Sequence, residues 1–408
     1  MSNALCRICN LPLTKVVDFG MQPLGNGFIE EVDIKDEYFF KMEIGYSEES
    51  MMLQLINQPD PEKMFHDHYA FYSSTSNFMI EHFKNFYRQI IQSKYIAKDD
   101  PFIVELGCND GILLKNFSNN GFRHLGIEPS LNVAKEASKN GVKTCSEFFT
   151  EKLAKKIVDE NGKADLFFAA NVMCHIPNIL DVVKGIKRLI KAKGVCIFED
   201  PYLGDIISKT SYDQIYDEHV FLFSALSIQF LFGLCDMDLI DVEAQKTHGG
   251  SMRYTLAHKG AYPINKSVDE IIKKERLQGL DRIETFHQFR VNIESSKLKL
   301  INLLQKLKDE GNKVVGYAAT SKSTTILNFC NIGPDLIDYI CDTTPIKQGK
   351  LSPGMHIPIV PYEEFKNNPP KFAFLFAWNH ADEILEKEKN FYSLGGKWIV
   401  HVPEVKFL

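Results

Sequence analysis

The sequence predicts an α/β fold: two Rossmann-like sheets preceded by a small N-terminal module. Three observations lead there. Strand-like and helix-like segments alternate between about residues 77 and 200, and again from about 314 to 403, which is the pattern of doubly wound parallel sheets. A strand, a glycine-containing loop and a helix start open the first series, in VELGCNDGILL. The first 75 residues carry neither pattern and begin on Cys6-x-x-Cys9.

Length and composition agree. A chain of 408 residues exceeds one ordinary core, so three domains are expected, over 1–75, 76–260 and 261–408. With 44% hydrophobic and 25% charged residues and a net charge of −6, nothing marks a nucleic-acid or anionic-membrane binder. MSNALCRICN lacks the basic and apolar regions of a signal peptide, and no stretch approaches the ~20 apolar residues of a membrane span. The nine cysteines are therefore expected to be mostly reduced thiols in a cytoplasmic protein.

In chain order, VVDFG and QPLGNGF are punctuated by turn residues, and KMEIGYSEESMMLQL reads as two short strands about a polar turn. FMIEHFKNFYRQIIQ has helical spacing. FIVEL, HLGIEP, DLFFAAN and VCIFED read as strands separated by helices, and SALSIQFLFGLC as a further helix. LIDVEAQ and SMRYTLAHK suit an antiparallel hairpin at the sheet edge. A long charged helix from about residue 267 leads to a second strand series: VVGYAAT, LIDYICD, FAFLFAW and WIVHVP.

The loop after FIVEL carries the first chemical signal. Gly107 and Gly111 permit a tight turn and close approach of backbone to a ligand, and the helix start beyond offers unpaired N–H groups. Glu128 ends the next strand, 23 positions after Glu105, where an acid can accept from both ribose hydroxyls of a nucleoside. The spacing Glu105-x-Gly107-x-Asn109-x-Gly111 is not the dinucleotide pattern. An acid opening the loop repels a pyrophosphate and suits a nucleoside whose amino-acid part is cationic, as in S-adenosyl-L-methionine. Phe148 and Phe149 are placed to flank an adenine or to pack as core.

YDQIYDEHVFLFS brings Tyr216, Glu218 and His219 together within four residues. Histidine suits a general base because its ordinary pKa leaves it neutral at cellular pH. Glu218 either orients the imidazole, which requires a turn there, or is a solvated acid. In THGGSMR, His248, Gly249 and Arg253 suit contact with sugar or phosphate, or simply a hairpin turn. YAATSKS opens a helix but is not a Walker A loop, because Ser321 stands where glycine is required before Lys322. Lys322 or Lys347 could reach a nucleotide. Asn379 and His380 follow a strand at the ligand-binding end of an open sheet, or Asn379 caps a helix.

VELGCNDGILL, NVMCHIPN, EDPYLGDIISKTSYDQIYDEHVFLFS, HGGSMRYTLA, VVGYAATSKS and LFAWNH together resemble the three-domain sugar C-methyltransferases. The resemblance spans nearly the whole chain. It implies a zinc-binding N-terminal module, a class I methyltransferase (Rossmann-like) central domain that binds S-adenosyl-L-methionine, and a Rossmann-like C-terminal domain without a dinucleotide. The implied substrate is a TDP-linked 4-keto deoxysugar, 3-amino sugars included, methylated at C-3 through an enolate in deoxysugar biosynthesis. His219 matches the base; Tyr216, Glu218, His175 and Tyr69 match its partners; Asn171 falls with the cofactor residues. Methylation of a sugar oxygen or nitrogen, or an inactive binding protein, are the alternatives. A monomer or weak oligomer is expected.

The zinc site departs from the family. It needs two Cys-x-x-Cys pairs, because structural zinc takes four ligands. Cys6 and Cys9 supply one pair, but Ser47 and Ser50 occupy the other. Two thiolates make a weak site, and neither His66 nor His68 is placed by a turn to complete it. The module is expected to hold by packing, without zinc.

Overall fold

The computed structural model describes residues 4–60, 64, 73–75, 77–96 and 99–408, excluding the side chains of residues 75 and 77. Tyr69, His66 and His68 lie outside them.

The N-terminal module is an antiparallel sheet of β1 (Thr14–Pro23), β2 (Phe39–Ser47) and β3 (Met52–Leu55). Its apolar face does not close on itself. Tyr46, with no exposed surface, stacks on Phe286 at 4.1 Å and donates to the Leu280 carbonyl. Phe19 meets Phe329 at 5.0 Å. The module thus shares one core with the C-terminal part of the chain, and burial of these rings supplies most of its attachment.

The middle sheet contains β4 (Phe102–Leu106), β5 (Arg123–Ile127), β6 (Thr144–Cys145), β7 (Ala164–Ala170), β8 (Ile190–Pro201), β10 (Met237–Gln245) and β11 (Ser251–His258). The short strand β9 (Phe221–Leu222) leaves this part and pairs with β3 of the N-terminal module. The order is β10-β11-β8-β7-β4-β5-β6, parallel from β8 to β6, with β11 and β10 antiparallel at the edge. Every residue of FIVEL is buried, as expected of a parallel strand covered on both faces.

The C-terminal sheet runs β14 (Ile359–Pro361), β13 (Ile340–Asp342), β12 (Val314–Tyr317), β15 (Phe372–Leu375), β16 (Lys397–Val400), β17 (Lys406–Phe407), with only β17 antiparallel. The long charged helix of the sequence is in fact two helices, Lys266–Gln278 and Ile283–Asp309. Gly279 ends the first with φ 74°, the left-handed conformation that glycine adopts without strain. No helix among the described residues is long and apolar enough to cross a membrane.

Glu275, on the first of these helices, has no exposed surface and accepts from the N–H groups of Ala225 and Leu226 at 2.8 and 2.9 Å. It satisfies the orphan donors at the start of helix Ala225–Gly233 and ties the linker to the middle sheet. Glu275→Ala is expected to cost about 2–4 kcal/mol by stranding those buried N–H groups. Urea denaturation at neutral pH measures this, and an unchanged midpoint would refute the capping role.

Candidate active site

A cavity of about 640 Å³ lies between the carboxyl ends of the middle strands and the loops of the C-terminal sheet. One half is built by the glycine loop. Gly107 has φ 67°, and a Cβ there would fall 2.3 Å from Val172 Cγ2, so the loop tolerates only glycine. Asn109, at φ 49°, donates its N–H to Glu128 at 3.0 Å, and Ser130 N–H reaches the other Glu128 oxygen at 3.0 Å. Burial raises the pKa of Glu128, and these two donors oppose the rise. The Ser130 side chain bonds it as well, and the carboxylate faces the cavity. Asn171, at φ 55°, lines the same half, and its buried Oδ1 has no hydrogen-bond partner among the described residues. Phe148 is half exposed on the wall, while Phe149 is buried against Phe167 at 5.2 Å.

A glycine cradle, an acid at the second strand end, an orphaned amide oxygen and an aromatic wall fit S-adenosyl-L-methionine. Two expected members are not on the wall. Glu105 is buried beneath the loop, where the Leu114 backbone hydrogen-bonds it and burial raises its pKa well above the usual carboxylate range. Gly111 (φ 80°) shapes the turn, with its would-be Cβ 2.9 Å from Val142.

The other half centres on the YDQIYDEHVFLFS stretch. Residues 216–219 form a turn, closed by His219 N–H donating to the Tyr216 carbonyl at 3.0 Å. His219 is buried. Its Nδ1 lies 2.6 Å from the Gln214 carbonyl, which only accepts, so the proton sits on Nδ1. Nε2 therefore presents a lone pair, 2.7 Å from the Tyr216 hydroxyl that donates to it. Burial, then the proximity of His175 and Lys322, drives the His219 pKa well below the ordinary value despite the opposing pull of Gln214. His175 stacks on it at 5.3 Å, and burial drops its own pKa to about 4. Both rings are neutral at cellular pH.

Glu218 neither touches this imidazole nor is solvated, so it fits neither of the two readings of the sequence. The turn sends it to the N-terminal module, where it accepts from Asn26 Nδ2 at 2.9 Å. Asp217 likewise accepts from Gly25 N–H at 3.0 Å, while Thr324 donates to the Gly25 carbonyl at 2.9 Å. A side chain at Gly25 would fall 2.8 Å from Asp217 and 3.1 Å from Ser321.

From the C-terminal sheet, Lys322, Lys347, Asn379 and His380 line the cavity, as does His248 from the middle part. Lys322 donates to Asn379 at 3.2 Å and lies over the Trp378 ring, and burial lowers its pKa to about 8. Asn379 thus serves the lysine and caps no helix. Lys347 donates to the Ala319 carbonyl at 2.7 Å. Burial depresses the His248 pKa to about 3. Arg253 does not line the cavity: β11 sets it opposite Glu199 on β8, and it pairs with Glu199 at 2.6 Å and Glu243 at 2.9 Å. Gly249 instead packs under Trp378, whose ring lies 2.4 Å from the glycine's would-be Cβ. Trp378 donates to the buried Asp213 at 2.6 Å. Asn26 carries no signal beyond the turn in QPLGNGF, and Asp213 and Gln214, though inside YDQIYDEHVFLFS, are given no role by that stretch.

Fold and site define a class I, S-adenosyl-L-methionine-dependent methyltransferase. Residues 79–239 match the family described as "Methyltransferase domain", 246–403 the "C-methyltransferase C-terminal domain" and 6–65 the "Putative zinc binding domain". The chain is 31% identical over 406 residues to C-methyltransferase NovU of Streptomyces niveus, covering 99% of this chain and 96% of that one. It belongs to this C-methyltransferase family. Two solved structures align at lower identity. A methyltransferase from Anabaena variabilis matches at 16% identity over 45% of this chain and 86% of its own, with a TM-score of 0.36. PH0226 of Pyrococcus horikoshii matches at 13% over 50% and 100%, with a TM-score of 0.37.

The family implies zinc, and the donor set present does not fit it. Cys6 Sγ faces Ser50 Oγ at 3.4 Å, and Cys9 Sγ faces Ser47 Oγ at 3.6 Å. The four side chains meet as the corners of a metal site would, but two corners are neutral hydroxyls. Gln54 Nε2 also donates to Cys6 Sγ at 3.1 Å. Burial raises the Cys6 pKa, but hydrogen bonds led by Ser50 outweigh it, and the net direction is downward. Ser47→Cys/Ser50→Cys is expected to hold one zinc per chain through dialysis against a weak chelator, whereas the native protein loses it. Metal analysis of both reads the outcome; stoichiometric zinc retained by the native protein would contradict it.

Proposed function

We propose that this enzyme C-methylates a nucleotide-linked keto sugar through an enolate, the substrate being a TDP-linked 4-keto deoxysugar and the acceptor its C-3. The observation that carries the reading is the unprotonated Nε2 of His219, presented to the same cavity as the glycine loop. A carbon beside a carbonyl becomes nucleophilic when a base removes its proton. His219 Nε2 is that base, and its Nδ1 stays bonded to Gln214 throughout, so the imidazolium forms without reorienting. The Tyr216 hydroxyl, released from Nε2 as the substrate's C–H takes its place, is free to turn to the sugar oxygen. With His175 it supplies donors as charge develops there. Lys322, Lys347, Asn379, His380 and His248 form the wall for the nucleotide and sugar oxygens. S-adenosyl-L-methionine, when bound at Gly107, Asn109, Glu128 and Asn171, supplies an electrophilic methyl group; positioning does the rest.

Transfer to a sugar oxygen or nitrogen would need only a base at a heteroatom and no enolate. The test is incubation of candidate TDP-4-keto sugars with protein and methyl-labelled cofactor, followed by mass spectrometry and carbon NMR of the product. The expected result is one added methyl on carbon C-3. A methyl on a heteroatom, or no transfer to any keto sugar, would overturn the proposal.

A further inference from the structure

We infer that Trp378 is a positioning residue: with its N–H held by Asp213, it carries the Lys322 ammonium over its ring and sets that charge in the cavity for the diphosphate of the nucleotide sugar. This rests on the nucleotide-sugar reading above. Lys322 stands in the first turn of helix Ser321–Cys330 and lines the cavity. Both circumstances work against a cation. The helix dipole presents its positive end there, and burial takes water from the ammonium. A charge kept at such a place needs partners.

Two consecutive residues of the C-terminal part provide them. Lys322 donates to Asn379 Oδ1 at 3.2 Å, and its Nζ lies 5.3 Å from the centre of the Trp378 ring. The amide is neutral, so the electrostatic weight falls on the indole and on what stands behind it. Trp378 Nε1 donates to Asp213 Oδ2 at 2.6 Å, and His401 Nε2 lies 3.5 Å from the same oxygen. Asp213 has no exposed surface. Burial raises its pKa, but His401, Lys322 and Trp378 together outweigh this, and the acid stays ionised. A carboxylate at the N–H enriches the indole face, and indole is the ring that binds a cation best. The same Asp213 charge opposes the burial that lowers the Lys322 pKa to about 8. Gly249, at φ 84°, fixes the ring from its far end: a Cβ there would fall 2.4 Å from Trp378 Cη2 and push the indole off the lysine. The carboxylate at the edge and the ammonium over the face come from different parts of the chain, and the indole joins them.

Calorimetry of the full-length protein with thymidine diphosphate and with thymidine tests this without turnover. Trp378→Leu and Lys322→Met are each expected to weaken thymidine diphosphate by about tenfold and thymidine by less than about twofold. Trp378→Phe, which keeps a ring but loses the N–H, weakens thymidine diphosphate by about threefold, so the test does not depend on the leucine variant folding. In the Lys322→Met background, Trp378→Leu and Trp378→Phe add no further loss. Equal weakening of both ligands by the Trp378 variants, or losses that add in the double variants, overturns the inference. Fluorescence reads the contact itself. The chain has two tryptophans, and Trp398 is fully buried elsewhere. The native spectrum minus that of Trp378→Phe isolates Trp378, and its emission maximum should move in Lys322→Met, because an adjacent charge shifts indole emission. An unmoved maximum overturns the inference as well. Native protein that binds thymidine diphosphate no better than thymidine, with the emission shift intact, refutes the nucleotide reading and leaves the hold of Trp378 on Lys322 standing.

Discussion

The hydrogen bond from His219 Nδ1 to the Gln214 carbonyl, 2.6 Å long, is the interaction on which the site depends. A carbonyl cannot donate, so this one contact selects the tautomer, aims Nε2 at the cavity and leaves it able to take a proton. The acceptor is itself fixed. Gln214 closes a short turn whose Tyr212 is fully buried near Cys330, and its side chain donates to the His248 carbonyl. Asp213, between them, accepts from Trp378 of the C-terminal part. The His219 ring is thus oriented by backbone that contacts from the C-terminal part hold in place.

Burial does the electrostatic work. His175, His219 and His248 lose the charged form, while the carboxyls of Glu218 and Asp217 are pushed up to about 8 and about 6. Within the cavity this leaves neutral histidines near pH 7, able to accept a proton. The N-terminal module takes part through Asn26 and is anchored by Tyr46 on Phe286 and Phe19 on Phe329. Asn26 lies at the end of the module's strands away from the Cys6–Cys9 corner, whereas Tyr46 adjoins that corner beside Ser47.

Much of this was legible in the sequence. The alternation of apolar strands with amphipathic helices placed both parallel sheets, and Gly107, Asn109 and Glu128 line the cavity. Short range limits what a sequence shows. Asn26 lies 192 positions from Glu218, and no local pattern links them. Strand parity and register decided two further cases. Glu105 turns under the loop rather than into the cavity, and Arg253 falls directly opposite Glu199 in the antiparallel ladder and is neutralised there. The break at Gly279 was hidden because helical charge patterns continue on either side of it, and strands as short as Thr144–Cys145 or Phe221–Leu222 carry too few residues for a period to show. In the turn at 216–219, adjacent Glu218 and His219 suggested a pair; the backbone sends them to different domains.

Exchange of the sugar's α-proton with solvent deuterium, in the presence of S-adenosylhomocysteine so that no methyl can transfer, tests the central claim most directly. The native enzyme should exchange the C-3 proton at a rate at least equal to turnover. His219→Asn should bind the cofactor product with unchanged affinity and lose exchange by about 100-fold or more. Undiminished exchange in that variant would remove His219 from the role of base and with it the account of how this site works.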